Sequence, residues 1–192
     1  MFAGAKVMRP TLSTPRLVLR PFAAADAPDV QRLAGAREVA DTTLNIPHPY
    51  QNGMAEAWIG THGPAWERGE MAVFAVTEAA AGFAGAISLR IERSHGRAEL
   101  GYWIAVPYWG CGYATEAATA VIRFGFEQLD LNRIHATHLT RNPASGRVML
   151  KAGMTYEGCL RQHVIKWGRF EDLAKYSILR EEWRSARSGP VT

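Results

Sequence analysis

A segment that alternates in polarity runs directly into a glycine-rich loop and then into an amphipathic helix. Residues 98–106 alternate between two faces, which predicts a strand. Residues from about 114 to 129 carry an apolar stripe at helical spacing. Between them, Gly110 and Gly112 leave backbone N–H groups uncovered. Because a helix start adds unpaired N–H donors and a partial positive charge, this arrangement predicts an anion-binding cradle built from backbone.

The motifs that are absent from the loop restrict which phosphate-containing ligand it can bind. A P-loop requires Gly-Lys-Ser/Thr, which is absent here. In a dinucleotide fingerprint, Thr115 would occupy the third glycine position, and Asp130 would lie at the end of the helix rather than on a second strand. A dinucleotide-dependent oxidoreductase is therefore disfavoured. Taken alone, the loop is also compatible with an ordinary glycine-rich turn.

Strands and helices alternate along the rest of the chain. Alternation and apolar runs predict further strands at 16–20, 71–77, 82–91, 133–139, about 154–165 and about 172–182. Apolar periodicity predicts helices at 24–35 and 54–68, with a proline-containing loop at 41–50. A further helix begins at the cap residue Asn142 and ends before Gly153. This order predicts a mixed sheet with helices on both faces.

Composition excludes several classes of protein. The 192 residues suffice for one domain, and no apolar run is long enough to span a membrane. The first ten residues lack the apolar core of a secretory signal, so we expect a cytoplasmic protein. Because Cys111 and Cys159 are isolated, we expect both thiols to be reduced and no metal site. The net charge of +4 is spread along the chain, which argues against a nucleic-acid partner. A homodimer is compatible with the sequence.

Several short motifs occur in a fixed order. They are Thr14-Pro-Arg-Leu-Val-Leu-Arg-Pro21, Ile46-Pro-His-Pro-Tyr50, Glu99-Leu-Gly-Tyr-Trp103, Tyr108-Trp-Gly-Cys-Gly-Tyr-Ala-Thr-Glu-Ala117, Asn142-Pro-Ala-Ser145, Lys151-Ala-Gly153, Glu157-Gly158 and the stretch from Asp172 to Leu179. In this combination the chain resembles the GNAT acetyltransferase superfamily. Within it, the chain is most similar to the RimJ/RimL branch of ribosomal-protein N-terminal acetyltransferases.

The resemblance implies a fold. It is the α/β (α+β) GNAT fold, a mixed, mostly antiparallel sheet of about seven strands flanked by about four helices. The sheet is splayed between its strands 4 and 5, here 98–106 and 133–139. The domain would cover residues 14–183, with loose termini at 1–13 and 184–192. The same resemblance places the loop 41–50, including Pro47, His48, Pro49 and Tyr50, at the acceptor end of the site.

The resemblance also implies acetyl-CoA as the co-substrate. Its pantetheine arm would pair with the backbone of strand 98–106, and its pyrophosphate would rest on the glycine loop, residues 109–115. The implied cofactor-binding residues are Ile104, Val106, Trp109, Gly110, Cys111, Gly112, Tyr113, Ala114, Thr115, Asn142 and Ser145. Trp109 replaces an Arg or Gln of the general superfamily. Cys111 is interpreted as a bystander, because a nucleophilic cysteine needs an activating base beside it.

Candidate catalytic residues follow from the same alignment. Where many relatives carry a tyrosine acid, this chain has Met149, so Ser145 is the candidate donor to the leaving sulfur. Where the branch carries a glutamate, this chain has Val164, which leaves Glu99 as the candidate base. His138 and His163 are of a residue type that can act as a base, but they are interpreted as structural. Ser145 could equally be an ordinary first-turn residue.

The expected function is transfer of an acetyl group from acetyl-CoA to a primary amine by direct attack. The acceptor favoured by the resemblance is the α-amine of a ribosomal or other protein N-terminus. The alternatives are an acyltransferase for a polyamine, amino acid or antibiotic, and an acyl-CoA-binding protein with weak catalysis. The sequence does not distinguish acyl chain lengths or name the acceptor.

Overall fold

An eight-stranded sheet forms the centre of the protein in the computed structural model, which describes residues 8–80 and 82–188. The strands are β1 (Leu12–Ser13), β2 (Leu17–Arg20), β3 (Met71–Glu78), β4 (Gly82–Glu92), β5 (Arg97–Ile104), β6 (Arg133–Leu139), β7 (Thr155–Lys166) and β8 (Arg169–Leu179). Their order in the sheet is β1-β2-β3-β4-β5-β6-β8-β7. Every neighbouring pair is antiparallel except β5 and β6, which are parallel.

Helices cover both faces of the sheet. They are α1 (Ala27–Ala34), α2 (Arg37–Thr42), α3 (Met54–Glu67), α4 (Tyr113–Glu127), α5 (Pro143–Lys151) and α6 (Arg180–Ser188). One buried cluster joins α4 and α5 to the side chains of one sheet face, such as Phe74. A second cluster joins α1 and α3 to the opposite face, where the adjacent residue Val73 points. The expected mixed sheet with helices on both faces is confirmed.

Local sequence explains where the two helices beside the site begin and what they pack against. The helix α4 starts at the N-cap Gly112 and buries Val121 and Ile122 completely against the sheet. The helix α5 starts after Asn142, whose side chain accepts a hydrogen bond from the N–H of Ser145, and Pro143 occupies its first turn. Because α4 follows β5, α5 follows β6 and these two strands are parallel, both helix starts lie at the same end of the strand pair.

The structure corrects several sequence expectations. Within the described residues the sheet has eight strands where about seven were expected, because the short β1 pairs with β2. There are six helices where about four were expected, because α2 and α6 were not foreseen. The strand expected at 98–106 ends at Ile104, since Pro107 belongs to a 3-10 turn, Val106–Tyr108. The last strand stops at Leu179, where α6 begins.

The termini carry more structure than expected. Ordered elements extend beyond 14–183 at both ends, because Leu12–Ser13 forms β1 and α6 runs to Ser188. The ring of Trp183 in α6 lies 5.4 Å from that of Phe126 in α4, which docks the helix on the domain. The remainder of the predicted loose termini, residues 1–7 and 189–192, lies outside the described residues.

The parallel pair separates along its length. The strands β5 and β6 pair only where Arg97, Ala98 and Glu99 face Arg133, Ile134 and His135. Further along, β5 stays paired with β4 and β6 stays paired with β8. The facing edges of β5 and β6 therefore have backbone groups that are not used in the sheet, which confirms the predicted splay.

Candidate active site

Two cavities meet at the gap between β5 and β6. The first, of about 340 Å³, lies between β5, the glycine loop and the starts of α4 and α5. The second, of about 270 Å³, lies between β4, β5, β6 and the segment that follows α2. Both are lined by Thr42, Thr43, Tyr102, Trp103 and Ser145. A ligand in one cavity would therefore touch a ligand in the other at these side chains.

The glycine loop has the geometry of an anion cradle. Gly110 and Gly112 adopt φ values of +79° and +81°, in the left-handed region where glycine is favoured over other residues. Gly112 caps α4 without any side chain, so the first N–H groups of the helix remain available to a ligand. The loop and the helix start both line the first cavity. The backbone of the loop and of the helix start therefore borders a space large enough for part of a phosphate-containing ligand.

Most of the predicted cofactor-binding residues line this cavity. They are Ile104, Trp109, Gly110, Gly112, Tyr113, Ala114, Thr115, Asn142 and Ser145. Val106 and Cys111 are not among the lining residues. Val106 lies in the 3-10 turn that replaces the end of the predicted strand, and Cys111 is exposed with its carbonyl held by Arg16.

Trp109 has a specific structural role. Its indole Nε1–H donates a 2.7 Å hydrogen bond to the carbonyl oxygen of Ile104, the last residue of β5. The bond fixes the turn that leads from the strand into the cradle. The Ile104 carbonyl is consequently already engaged within the protein. Any ligand pairing at this carbonyl would have to share the oxygen with the indole.

Tyr102 and Ser145 form the contact at the junction of the cavities. The Tyr102 hydroxyl lies 2.7 Å from the Ser145 Oγ and 3.1 Å from the Ser145 carbonyl oxygen. Burial raises the pKa of Tyr102 to about 12, with the hydrogen bond to Ser145 acting in the opposite direction. The phenol is therefore protonated at neutral pH and can hold the serine hydroxyl in place. Sequence reasoning singled out Ser145 but missed Tyr102, whose partner is 43 positions away.

The second cavity contains one carboxylate. Among the described residues that line it, Glu99 is the sole acid, and there is no lysine or arginine. The walls include the aromatic rings of Trp58 and Trp103 and the buried side chain of Met149, which occupies the position aligned with a tyrosine acid. Glu99 is half-buried on β5, level with His135 of β6. Within this lining, Glu99 is therefore the one carboxylate that can pair with a cationic or amine group of a ligand.

The histidines considered earlier have different surroundings. His138 lines the second cavity and is buried, with Nδ1 located 2.8 Å from the carbonyl oxygen of Leu139. Because a carbonyl only accepts, Nδ1 carries the proton in the neutral ring, and Nε2 has no partner among the described residues. His163 and Val164 lie on β7 and line neither cavity, and His163 is exposed.

The loop 41–50, which the resemblance placed at the acceptor end of the site, lines the second cavity only in part. Thr42 through Ile46 line the second cavity, whereas 47–50, within the described part of the chain, do not. Three side chains from distant positions hold this wall. Arg141 bonds the Asp41 carboxylate and carbonyl oxygen at 3.0 and 2.8 Å, the Asn142 amide reaches the Thr42 carbonyl at 3.3 Å, and the Lys166 ammonium reaches the Leu44 carbonyl at 3.1 Å.

Within 8–80 and 82–188, no group of three or more histidine, cysteine or acidic side chains is placed to hold a metal ion. No helix in those ranges is long and apolar enough to cross a membrane.

Comparison with known proteins gives one matching family. The sequence profile described as "Acetyltransferase (GNAT) domain" matches residues 16–155. The chain is 41% identical over 90 residues to the uncharacterized N-acetyltransferase YoaA of Bacillus subtilis, covering 47% of this chain and 51% of YoaA. It is 36% identical over 104 residues to the putative ribosomal N-acetyltransferase YdaF of the same organism, covering 54% of this chain and 57% of YdaF. The chain thus spans about half the length of the curated relatives it matches.

A solved structure shares the fold over nearly the whole length. The ribosomal L7/L12 α-N-protein acetyltransferase RimL, solved in complex with coenzyme A, superposes with a TM-score of 0.82 at 20% identity. The match covers 88% of this chain and 98% of RimL. At this identity the likeness concerns the fold alone.

Proposed function

This chain belongs to the GNAT acetyltransferase family, and we propose that it is an N-acetyltransferase that uses acetyl-CoA and transfers the acetyl group to a primary amine. One observation carries the proposal. A cavity with a backbone anion cradle and a cavity with a single carboxylate meet at Tyr102 and Ser145. Acetyl-CoA fits the first cavity, since its diphosphate matches the cradle and its thioester would reach the junction. The acceptor amine fits the second.

The side chains at the junction suit direct transfer. Glu99 takes the proton from the ammonium form of the acceptor, directly or through a water molecule, and the neutral amine attacks the thioester carbonyl. A backbone N–H of β5 donates to the oxygen that becomes negative. As the intermediate collapses, the carbon–sulfur bond breaks and the Ser145 hydroxyl donates a hydrogen bond to the leaving thiolate. The attacking nitrogen loses a proton, and the thiolate takes up a proton directly or through water. Tyr102 orients the Ser145 hydroxyl, and its high pKa keeps the phenol neutral throughout.

We propose a peptide or protein α-amine as the acceptor. The pKa of an α-amine is about 7.7–8.0 and that of a lysine side chain is about 10.4, a difference worth about 3.5 kcal/mol of deprotonation. A single half-buried carboxylate, Glu99, can serve the first acceptor more easily than the second. The name of YdaF, a putative ribosomal N-acetyltransferase, agrees with this choice.

A polyamine is a poorer match for the second cavity. A polyamine carries several ammonium groups, and each one taken out of water needs a partner. Within the described lining, Glu99 is the one carboxylate available.

We also propose a cytoplasmic location, which the two free and exposed cysteines support because they suit a reducing compartment.

Competition between peptides tests the proposal. Two peptides of the same sequence each carry one lysine, and only one of them has a free N-terminus. We expect release of CoA thiol with the free peptide and little with the blocked one. As a matched control, Glu99→Gln keeps the shape of the side chain and should lower turnover without weakening acetyl-CoA binding.

Three outcomes would contradict parts of this assignment. Preferential acetylation of the lysine on the blocked peptide would overturn the α-amine. Activity on spermidine, an amino acid or an aminoglycoside with none on peptides would make the protein a small-molecule acyltransferase. Tight acetyl-CoA binding without turnover of any amine would make it an acyl-CoA-binding protein.

A further inference from the structure

A carboxylate stands beside the anion cradle. Glu116 lies in the first turn of α4, the helix whose start forms part of the cradle. The helix dipole favours a negative side chain at this place. A bound diphosphate at the same helix start would, however, be repelled by an uncompensated carboxylate. The proposed acetyl-CoA site therefore requires that the charge of Glu116 be balanced.

The balance comes from the N-terminal part of the chain. The Thr14 hydroxyl donates to Glu116 Oε1 at 2.6 Å, and the backbone N–H of Arg16 donates to the same oxygen at 2.9 Å. The Arg16 guanidinium holds Oε2 through Nε at 2.7 Å and Nη2 at 2.6 Å. Burial alone would raise the pKa of Glu116, but the hydrogen bonds from Thr14 and Arg16 lower it below its usual value. The carboxylate stays ionised and fully paired.

The same guanidinium also holds the loop. Its Nη1 donates to the carbonyl oxygen of Cys111 at 2.9 Å, and its carbon lies 5.0 Å from the centre of the Tyr113 ring. A Cβ placed on Gly112 would lie 3.4 Å from Nη2. Arg16 therefore borders three consecutive residues of the cradle. By accepting this bond, the Cys111 carbonyl is tied to the first strands of the domain.

We propose that Arg16 is a positioning residue for the cradle, and this inference rests on the proposed use of acetyl-CoA. Arg16 has two linked effects. It neutralises Glu116, which lowers the negative potential at the start of α4, and it fixes the Cys111 carbonyl, which holds the loop in its ligand-binding shape. Arg16 acts through Glu116 and the loop, not on the reacting atoms.

The two effects give distinguishable results in variants. Arg16→Met removes the positive charge and leaves Glu116 beside the cradle, so CoA should bind at least about tenfold more weakly. Glu116→Gln removes the negative charge, and CoA affinity should change by less than about threefold. The double variant Arg16→Met/Glu116→Gln should recover the part of the affinity that the unpaired charge of Glu116 costs, whereas the part due to the freed Cys111 carbonyl stays lost. If Arg16 were only a structural brace, the double variant would bind CoA no better than the single one.

Acetyl-pantetheine provides the second arm of the test. It carries the reactive thioester but no phosphate group. Turnover with saturating acetyl-pantetheine should therefore be similar in the parent and in Arg16→Met, whereas KM for acetyl-CoA should rise. The matched control is Arg32→Met, which removes an arginine from the exposed pair with Asp29 on α1. Thermal unfolding establishes that each variant is folded, and Arg16→Gln replaces Arg16→Met if the latter is not.

The result separates this inference from the proposed function. Absence of CoA binding by the parent protein would refute the proposed function. Normal CoA binding by the parent with an Arg16 variant that binds equally well would refute the role of Arg16. A loss that persists in full in the double variant would refute the neutralisation of Glu116, and a loss that appears equally with acetyl-pantetheine would refute a role at the cradle.

Discussion

The buried histidine of α3 should make the stability of this protein depend on pH. His62 is 2% exposed, and neither ring nitrogen has a hydrogen-bond partner among the described residues. Its ring packs edge-on against Trp58, with centroids 4.4 Å apart, and against Phe22 at 5.2 Å. Burial, and secondarily the positive charge of Arg9, lowers the pKa of His62 from 6.5 to about 4. We expect protonation of this ring to favour unfolding.

The size and direction of the effect follow from linkage. Between pH 6.5 and 4 the unfolded chain binds a proton that the folded chain excludes, so stability falls as pH falls through this window. The full contribution follows from the difference between 6.5 and about 4 and is roughly 3 kcal/mol at 1.36 kcal/mol per pH unit. At pH 5 the loss relative to pH 8 is about 2 kcal/mol. Below about pH 4 the loss levels off, because the folded ring also becomes protonated.

Urea unfolding at pH 8 and pH 5 measures the effect. His62→Met has a similar volume and does not titrate, so it serves as the reference. The parent protein should lose about 2 kcal/mol more than His62→Met between the two pH values. Carboxylates such as Asp26 and Glu116, whose pKa values are lowered by their hydrogen bonds, titrate in both proteins and cancel in this difference. Equal losses in the two proteins would refute the reasoning.

Three further predictions concern the site. Replacing Gly112 by leucine should weaken acetyl-CoA binding at least about tenfold by calorimetry, because φ is +81° there and the cradle needs an open backbone; unchanged affinity in a folded variant would contradict the cradle. Ser145→Ala should lower kcat more than it weakens acetyl-CoA binding. Adding Tyr102→Phe should lower kcat little further, since the two hydroxyls act as one unit. Strictly multiplicative losses of kcat would show that their roles are separate. Lys166→Met should raise KM for the acceptor and leave acetyl-CoA affinity unchanged, because its ammonium holds the segment 44–46; a change confined to acetyl-CoA affinity would disprove that role.

The cradle could be predicted from sequence because each of its parts is local. Alternation gave the strand before it, apolar periodicity gave α4, and the glycines marked the turn between them. The start of α5 was equally local, since Asn142 and Pro143 are a cap and a first-turn residue. In all these cases the residues that determine the structure are neighbours in the chain.

The remaining features depend on contacts between distant residues. The helix α2 is six residues long, has no side-chain cap and is held by Arg141 and Asn142, about a hundred positions away. The bond between Tyr102 and Ser145 and the pair of Arg16 with Glu116 also join residues that only the fold brings together. A single sequence contains no signal for such pairs, because propensity and periodicity describe near neighbours.

The positions of the two cavities follow from how the sheet is paired. The strand β5 remains with β4 and β6 remains with β8, so the two central strands diverge, and the start of α5 brings Ser145 to the junction of the two cavities. The cradle is built from backbone and can serve one cofactor in proteins of different sequence. The second cavity, which we propose for the acceptor, is instead walled by residues 42–46, which distant side chains hold in place. Substitutions among those side chains can therefore change the acceptor while the cradle and its cofactor stay the same.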